Sequence, residues 1–435
     1  MVKIEENKFY TEHKKIEVLA AAPIVYIPLS QHLGKICDCL QVKIGDTVLK
    51  GQLLSTAQAQ PFAPIHASVS GKIAAIQSWP HPTLGACKAI VIENDGKDSA
   101  APEFGKNLSP EAAGKLTPEQ IRESIFRAGV IGMGGAAFPT HIKLNPPKPV
   151  HCLLINIAEC EPYLTNDSQL VAEKAPEIIA GIELEARCFP LQKIYISIED
   201  NTPEAIAVLT KELAQRSWKI NGIEAEMAVL KSQYPQGGEK QLVQKILKTE
   251  VPRGKLPFDV GVTVQNVGTV YAIYEAVYKN KPLIERVVTV TGGCLTTPKN
   301  LLARIGTPVK YLIDACGPLK ETPVKIIAGG PMMGIAQFTD QIPVIKSTTG
   351  IILLGKREAR RAEELPCIRC GACIRECPMG ATPALINQAS NKSFWAEAKT
   401  YGALDCIECG LCNFVCPSNR RIVQSIKRVK LEAPR

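Results

Sequence analysis

Eight of the 16 cysteines in this 435-residue chain fall between positions 367 and 416. Cys367, Cys370, Cys373 and Cys377 are spaced C-x2-C-x2-C-x3-C, and Pro378 follows. Cys406, Cys409, Cys412, Cys416 and Pro417 repeat the run. This spacing lets one tight loop point three thiolates at a cubane, and it is a ligand pattern of [4Fe–4S] clusters. The fourth cysteine begins a segment that leads away, so it is expected to serve the other centre. One cluster then takes Cys367, Cys370, Cys373 and Cys416; the second takes Cys406, Cys409, Cys412 and Cys377. Gly371 and Gly410 sit where such a loop needs conformational freedom. A zinc site uses four ligands, typically two C-x2-C pairs across a longer loop, and fits two complete four-cysteine runs poorly.

A second candidate lies in "AGVIGMGGAAFPTHIKL" (128–144), with Gly132, Gly134 and Gly135. Glycines here leave backbone N–H groups open, and such a loop can cradle a phosphate with Lys143 adding positive charge. The same glycines also suit a turn packed against a sheet. The spacing is not the dinucleotide fingerprint G-x-G-x-x-G.

The composition is that of a soluble globular protein: 46% hydrophobic and 21% charged residues, net charge +9. The length suggests two to four domains, with core enough that cysteines are not needed as staples. The N-terminus, "MVKIEENKFYTEHKK", is charged and lacks an apolar h-region, which predicts no signal peptide. In a cytosolic setting clustered cysteines mean metal or redox chemistry. No run approaches the ~18 apolar residues of a membrane span. Basic residues flank the cysteine region: Lys356, Arg357, Arg360 and Arg361 before it; Arg420, Arg421, Lys427, Arg428, Lys430 and Arg435 after it. They read as a solvated face, or as a docking surface for an acidic protein or a membrane. Nucleic acid is not indicated, since no recognition motif is present.

The elements that must position these groups form a multidomain α/β chain. Short strands with glycine turns fill residues 22–76 and resemble the barrel-sandwich domain of biotinyl and lipoyl carriers. "QLLSTAQAQPFAPIHASVSG" (52–71) holds no lysine, so no swinging arm is expected. A polar linker ends at Thr117-Pro118, an N-cap with proline at the first helical position. From 121 to about 280 helices alternate with strands ("VHCLLINIA", "QKIYISIED", "DVGVTVQNV"), which predicts a mainly parallel sheet. A small α+β module follows, then the cysteine tail. The expected units are a β domain at 1–100, an α/β domain at 118–282, a β-grasp-like module at 283–355 and a two-cluster ferredoxin-like domain at 358–425.

Four segments carry a family resemblance. "GMGGAAFPTHIKL" resembles the "GRGGAGFPTGLKW" loop of the flavoprotein subunit of respiratory complex I, which binds FMN and NADH. "INIAECEPYLTNDSQLV", "YPQGGEKQL" and "VQNVGTVYAI" follow in the same order and are similar to that family's "NADExEPGTxKDR", "YICGEETAL" and "VNNVETLANV". The whole of residues 20–425 looks like the C subunits of Rnf complexes, membrane-bound ferredoxin:NAD oxidoreductases that pump ions. That family shares the β domain, the flavoprotein-like domain, the β-grasp module with "GGPMMG", and the two-cluster tail.

Carried over by position, the resemblance implies FMN contacts from Gly132, Gly134, Gly135, Lys143, Asn156, Glu159, Gln265, Asn266 and Thr269, with the Gly237 backbone near the flavin. It implies nicotinamide-nucleotide contacts from Phe138, Glu161, Tyr234 and Glu239. Met133, Ala158 and Gly238 depart from the complex I motifs. Glu159 and Glu161 would equally suit a helix N-terminus, and Tyr234 and Phe138 a core. The implied function is an electron-transfer subunit, an NAD-linked oxidoreductase peripheral to the cytoplasmic face of the membrane. Its expected groups are FMN, two [4Fe–4S] clusters and NAD(H); its expected partners are other Rnf-type subunits, with ferredoxin reached through them. A soluble reductase of the microcompartment cobalamin type, or a flavin-free iron–sulfur relay, are the alternatives.

Overall fold

A computed structural model describes residues 3–32, 35–359 and 363–433. Arg360, Arg361 and Arg435 of the basic flanks lie outside the described residues.

The N-terminal β unit stacks two antiparallel sheets. One has the order Ile24–Pro28, Gly85–Asn94, Gly71–His81, Thr47–Val48; the other runs Cys39–Leu40, Leu53–Thr56, Ile65–His66. Strand alternation turns Val25, Ile27, Ile73, Ile90 and Ile92 inward to one core with Leu54 and Ile65.

The α/β unit is built on a five-stranded sheet. Ile223–Leu230, Lys193–Glu199, Cys152–Ile157 and Val262–Asn266 run parallel, and Lys219–Ile220 adds a short antiparallel edge. Leu153, Ile155, Ile157, Ile194, Ile196 and Ile198 are fully buried, as strands covered on both faces must be. Helix Pro118–Arg127 starts with a capping box between Thr117 and Gln120. Helix Asn166–Ala186 follows the first strand's loop and bends at Lys174, two residues before Pro176. It packs on helix Val267–Tyr278 at Gly181, where a Cβ would stand only 2.4 Å from the Val270 carbonyl. Glycine is therefore what lets the two helices meet, and their contact fixes the strand ends that both adjoin.

The third unit is a six-stranded mixed sheet in the order Ile16–Val18, Lys299–Arg304, Glu285–Thr291, Gly350–Leu354, Lys325–Ala328, Ile335–Gln337. Ile16–Val18 pairs in parallel with Lys299–Arg304. Ile16–Val18 thus belongs to this sheet and not to the β unit that follows it in sequence. The arm before it also crosses the α/β unit. Tyr163 N donates to the Glu6 carbonyl at 2.7 Å, and the Thr11 and Thr165 hydroxyls meet at 2.8 Å.

In the cysteine tail the internal repeat is structural. Gly371 and Gly410 both take left-handed φ values, 73° and 79°, and each opens a one-turn helix, Ala372–Arg375 and Leu411–Phe414. Helix Ile422–Glu432 turns Ile422, Val423, Ile426 and Val429 inward, in one core with Ile386 and Ala389 of helix Pro383–Asn391. Its apolar stripe is packing within the unit.

Gly181→Ala should force the two helices apart and lower stability by about 1–3 kcal/mol. Chemical denaturation followed by far-ultraviolet circular dichroism measures this. An unchanged midpoint would mean that the contact is not tight.

Candidate functional site

The parallel strands Cys152–Ile157 and Val262–Asn266 are neighbours, with Asn156 opposite Asn266 at their carboxyl ends. Ligands of open α/β sheets bind outside such strand ends. The Asn156 amide donates to the Gly237 carbonyl at 2.8 Å, and its oxygen accepts from Ala158 N at 3.0 Å. This holds the 234–238 loop against the strand end. Asn266 caps helix Val267–Tyr278, accepting from Gly268 N at 3.0 Å and Thr269 N at 3.4 Å. Its amide donates to Asp167 at 2.6 Å.

The glycine loop closes over these caps. Gly132 N donates to the Phe138 carbonyl at 2.8 Å, and Met133 N to the Thr269 hydroxyl at 2.8 Å. A Cβ at Gly134 would stand 2.8 Å from the Asn266 side chain. At Gly135 nothing lies within 4 Å of that position, and residues 134–136 are exposed. Lys143, on the short helix after the loop, pairs with Glu239 at 2.5 Å. Gln265 is 1% exposed, yet its Nε2 meets no acceptor. An unmet buried donor at this strand end fits a bound polar group, and the open glycine backbone fits a phosphate. These residues suit FMN.

Glu159 has a different immediate task. Its carboxylate accepts from Asp167 N (3.0 Å), Ser168 N (3.2 Å) and the Ser168 hydroxyl (2.9 Å), so it caps helix Asn166–Ala186. Asp167 was not singled out by the motifs. Burial, and next the Glu159 charge, raise its carboxyl well above the ordinary range. An aspartate in a first helical turn, one residue beyond an asparagine, is its only local signal.

Glu161 and Tyr234 sit together where the α/β unit meets the third unit and the cysteine tail. Glu161 accepts from Met332 N (3.2 Å) and Met333 N (2.8 Å). Burial pushes its carboxyl up to about 7, against the pull of those N–H groups and of the Tyr234 hydroxyl. Tyr234 donates to the Cys409 carbonyl at 2.6 Å.

The cysteines surround a cavity instead of converging on a point. Cys377 of the first run and Cys406, Cys409 and Cys412 of the second line one pocket with Pro378 and Gly410. Burial raises the Cys373 thiol, and the charges of Cys416 and Cys367 raise it further. Burial likewise pushes Cys409 up to about 11, with Cys406 and Cys377 adding to it. Sulfurs this close oppose one another's ionisation, and a positively charged iron core removes that penalty. Among the described residues no three His, Cys, Asp or Glu side chains are placed to hold a single metal ion. The two spaced cysteine sets fit cubane clusters.

The fold and sites thus define a flavoprotein-type α/β unit joined to a two-cluster iron–sulfur unit. Family comparisons give the same division. Residues 2–97 match the RnfC barrel sandwich hybrid domain, 125–275 the Nuo51 FMN-binding domain, 287–336 the SLBB domain, and 366–420 the 4Fe-4S dicluster domain. The chain is 44% identical over 432 residues to the C subunit of the proton-translocating ferredoxin:NAD(+) oxidoreductase complex of Clostridium ljungdahlii, covering 98% of this chain and 92% of that one. It is 41% identical over 411 residues to the Na(+)-translocating counterpart of Acetobacterium woodii, covering 94% and 90%. An NAD+-reducing [NiFe]-hydrogenase shares the fold over 76% of this chain and 64% of that chain, with TM-score 0.51 and 17% identity. The chain belongs to the RnfC family, the C subunits of ion-translocating oxidoreductase complexes.

Gly134→Val should weaken FMN binding by about tenfold or more, because the side chain must displace Asn266. Flavin fluorescence titration of folded protein measures this. Wild-type affinity would make the loop purely structural.

Proposed function

We propose that this protein is the peripheral electron-transfer subunit of a membrane-bound, ion-translocating ferredoxin:NAD oxidoreductase. In this reading it lies on the cytoplasmic face and exchanges electrons between NAD(H) and two [4Fe–4S] clusters by way of FMN. One observation carries the reading most. The wall of the Cys377–Cys406–Cys409–Cys412 pocket is bonded directly to the unit that holds the glycine loop, through Tyr234 and Cys409. A two-electron site and a one-electron site share a boundary.

FMN, when bound, supplies the conversion between hydride and single-electron transfer that neither nicotinamide nor a cluster provides alone. The chain's residues bind and orient. Gly134 and Gly135 offer backbone to the phosphate, with Lys143 nearby, while the Gly132 N–H closes the loop on the Phe138 carbonyl. Gln265 presents an unmet amide donor at the strand end; Asn156, Asn266 and Thr269 hold the loops and helix that frame it, and Glu159 fixes the helix beside them. Gly237 approaches with its backbone. Phe138 and Glu239 carry most of the nucleotide assignment, since the polar atoms of Glu161 and Tyr234 are engaged at the cluster boundary. The expected units at 1–100, 118–282, 283–355 and 358–425 divide these tasks, with Ile16–Val18 of the first joined to the sheet of the third. Among the described residues no helix is long and apolar enough to cross a membrane. Association with the membrane rests, in this reading, on the other Rnf-type subunits, which also deliver electrons from ferredoxin.

Cys409→Ala and Cys377→Ala should each abolish the same paramagnetic centre. Bleaching of the flavin by NADH should persist in both, while reduction of an acceptor served only by the clusters is lost. Continued acceptor reduction in both variants would contradict the route.

A further inference from the structure

Three units meet at the loop "GGPMMG", residues 329–334, between strands Lys325–Ala328 and Ile335–Gln337. From the α/β unit, Glu161 accepts the N–H groups of Met332 and Met333 at 3.2 and 2.8 Å. The fit is close enough that a Cβ at Gly330 would stand 2.1 Å from the Glu161 carboxylate. On its other side the same loop presses on the cluster unit. A Cβ at Gly410 would stand 2.5 Å from the Met332 carbonyl. Gly410 follows Cys409, whose carbonyl receives the Tyr234 hydroxyl at 2.6 Å. Tyr234, Cys160, Met332, Ile407, Cys409 and Leu411 pack as one apolar cluster around this contact.

The two cysteine sets are therefore not equivalent. Cys409 is buried against the α/β unit and the loop, and Cys373 and Cys412 in the core of their own unit, whereas Cys367 and Cys370 are exposed. Removing the Tyr234 hydroxyl would leave the buried Cys409 carbonyl without its donor, a cost to the loop that carries three ligands. Hydrogen bonds beside iron–sulfur ligands also set cluster potential. A donor on this carbonyl draws negative charge away from the centre and so favours its reduced form.

We propose that the Cys377–Cys406–Cys409–Cys412 centre is the flavin-side cluster, and that Tyr234 is its positioning residue, held in place by the Glu161-bound Met332 loop. This rests on the function proposed above. The β-grasp-like module then acts as a spacer that sets how the cluster loop sits against the flavin unit, and the exposed Cys367–Cys370 side is left for exchange outward.

The test uses full-length Tyr234→Phe protein with iron and flavin contents measured. Potentials of both centres are titrated with chemical mediators and read by electron paramagnetic resonance. The centre that Cys409→Ala abolishes should move to lower potential, and its reduction after NADH addition should slow by about tenfold; the other centre should hold its potential. Glu161→Gln, which keeps one acceptor for the loop, should move the same centre the same way by less, and it decides the matter if Tyr234→Phe loses iron. A shift confined to the other centre, or a change in NADH affinity with both potentials intact, or no change in either variant, would overturn the proposal. If NADH fails to reduce wild-type flavin, the proposed function fails, while the mediator titration still decides the role of Tyr234.

Discussion

Acidic groups crowd the carboxyl edge of the parallel sheet, and Lys8 is the cation they share. Its ammonium donates to the Glu159 carbonyl and is 5% exposed. Its charge opposes the upward shift that burial imposes on Glu161, Asp167 and Glu199. Arg286 also stands beside Asp167; without Lys8 the buried Glu161 and Glu199 would lose the positive charge that opposes their burial, and an uncompensated buried charge is the costly case. The N-terminal arm is thus a structural part of the crevice at the strand ends. It reaches the crevice because Ile16–Val18 is anchored on the six-stranded sheet and Thr11 bonds to Thr165.

From that edge the structure divides its polar side chains by direction. Thr269 holds the glycine loop and Asn156 the 234–238 loop at the strand ends, while Asn266 caps its own helix. Glu159 and Asp167 tie the first helix to the same place. Glu161 and Tyr234 face the third and fourth units. A redox partner is thereby built onto the wall of the crevice by hydrogen bonds to backbone, which fix orientation without adding ionised groups at the boundary.

Much of this was legible in the residues themselves. The two cysteine runs and their glycine-opened turns were legible because that loop geometry is local, and Cys377 lines one pocket with Cys406, Cys409 and Cys412. Strand runs such as "CLLINI" and the Thr117 cap were legible for the same reason. What escaped depends on partners far apart in sequence. Nothing near Ile16 signals pairing with residues some 280 positions later, and the cap role of Glu159 emerges only when the 160–165 loop folds back. Asp167 matters through Asn266, 99 positions away. Tyr234 read as a nucleotide contact by position, but its hydroxyl is committed 175 residues downstream.

The central claim is that electrons cross from a nicotinamide nucleotide to the clusters through a flavin held at the glycine loop. Single-turnover mixing of NADH with anaerobic protein carrying FMN and about eight irons, followed at flavin and cluster absorbance bands, tests it most directly. The account predicts flavin bleaching first and cluster bleaching after it, at a rate independent of NADH concentration. Cluster reduction that precedes flavin bleaching, or flavin that NADH never bleaches, would contradict it.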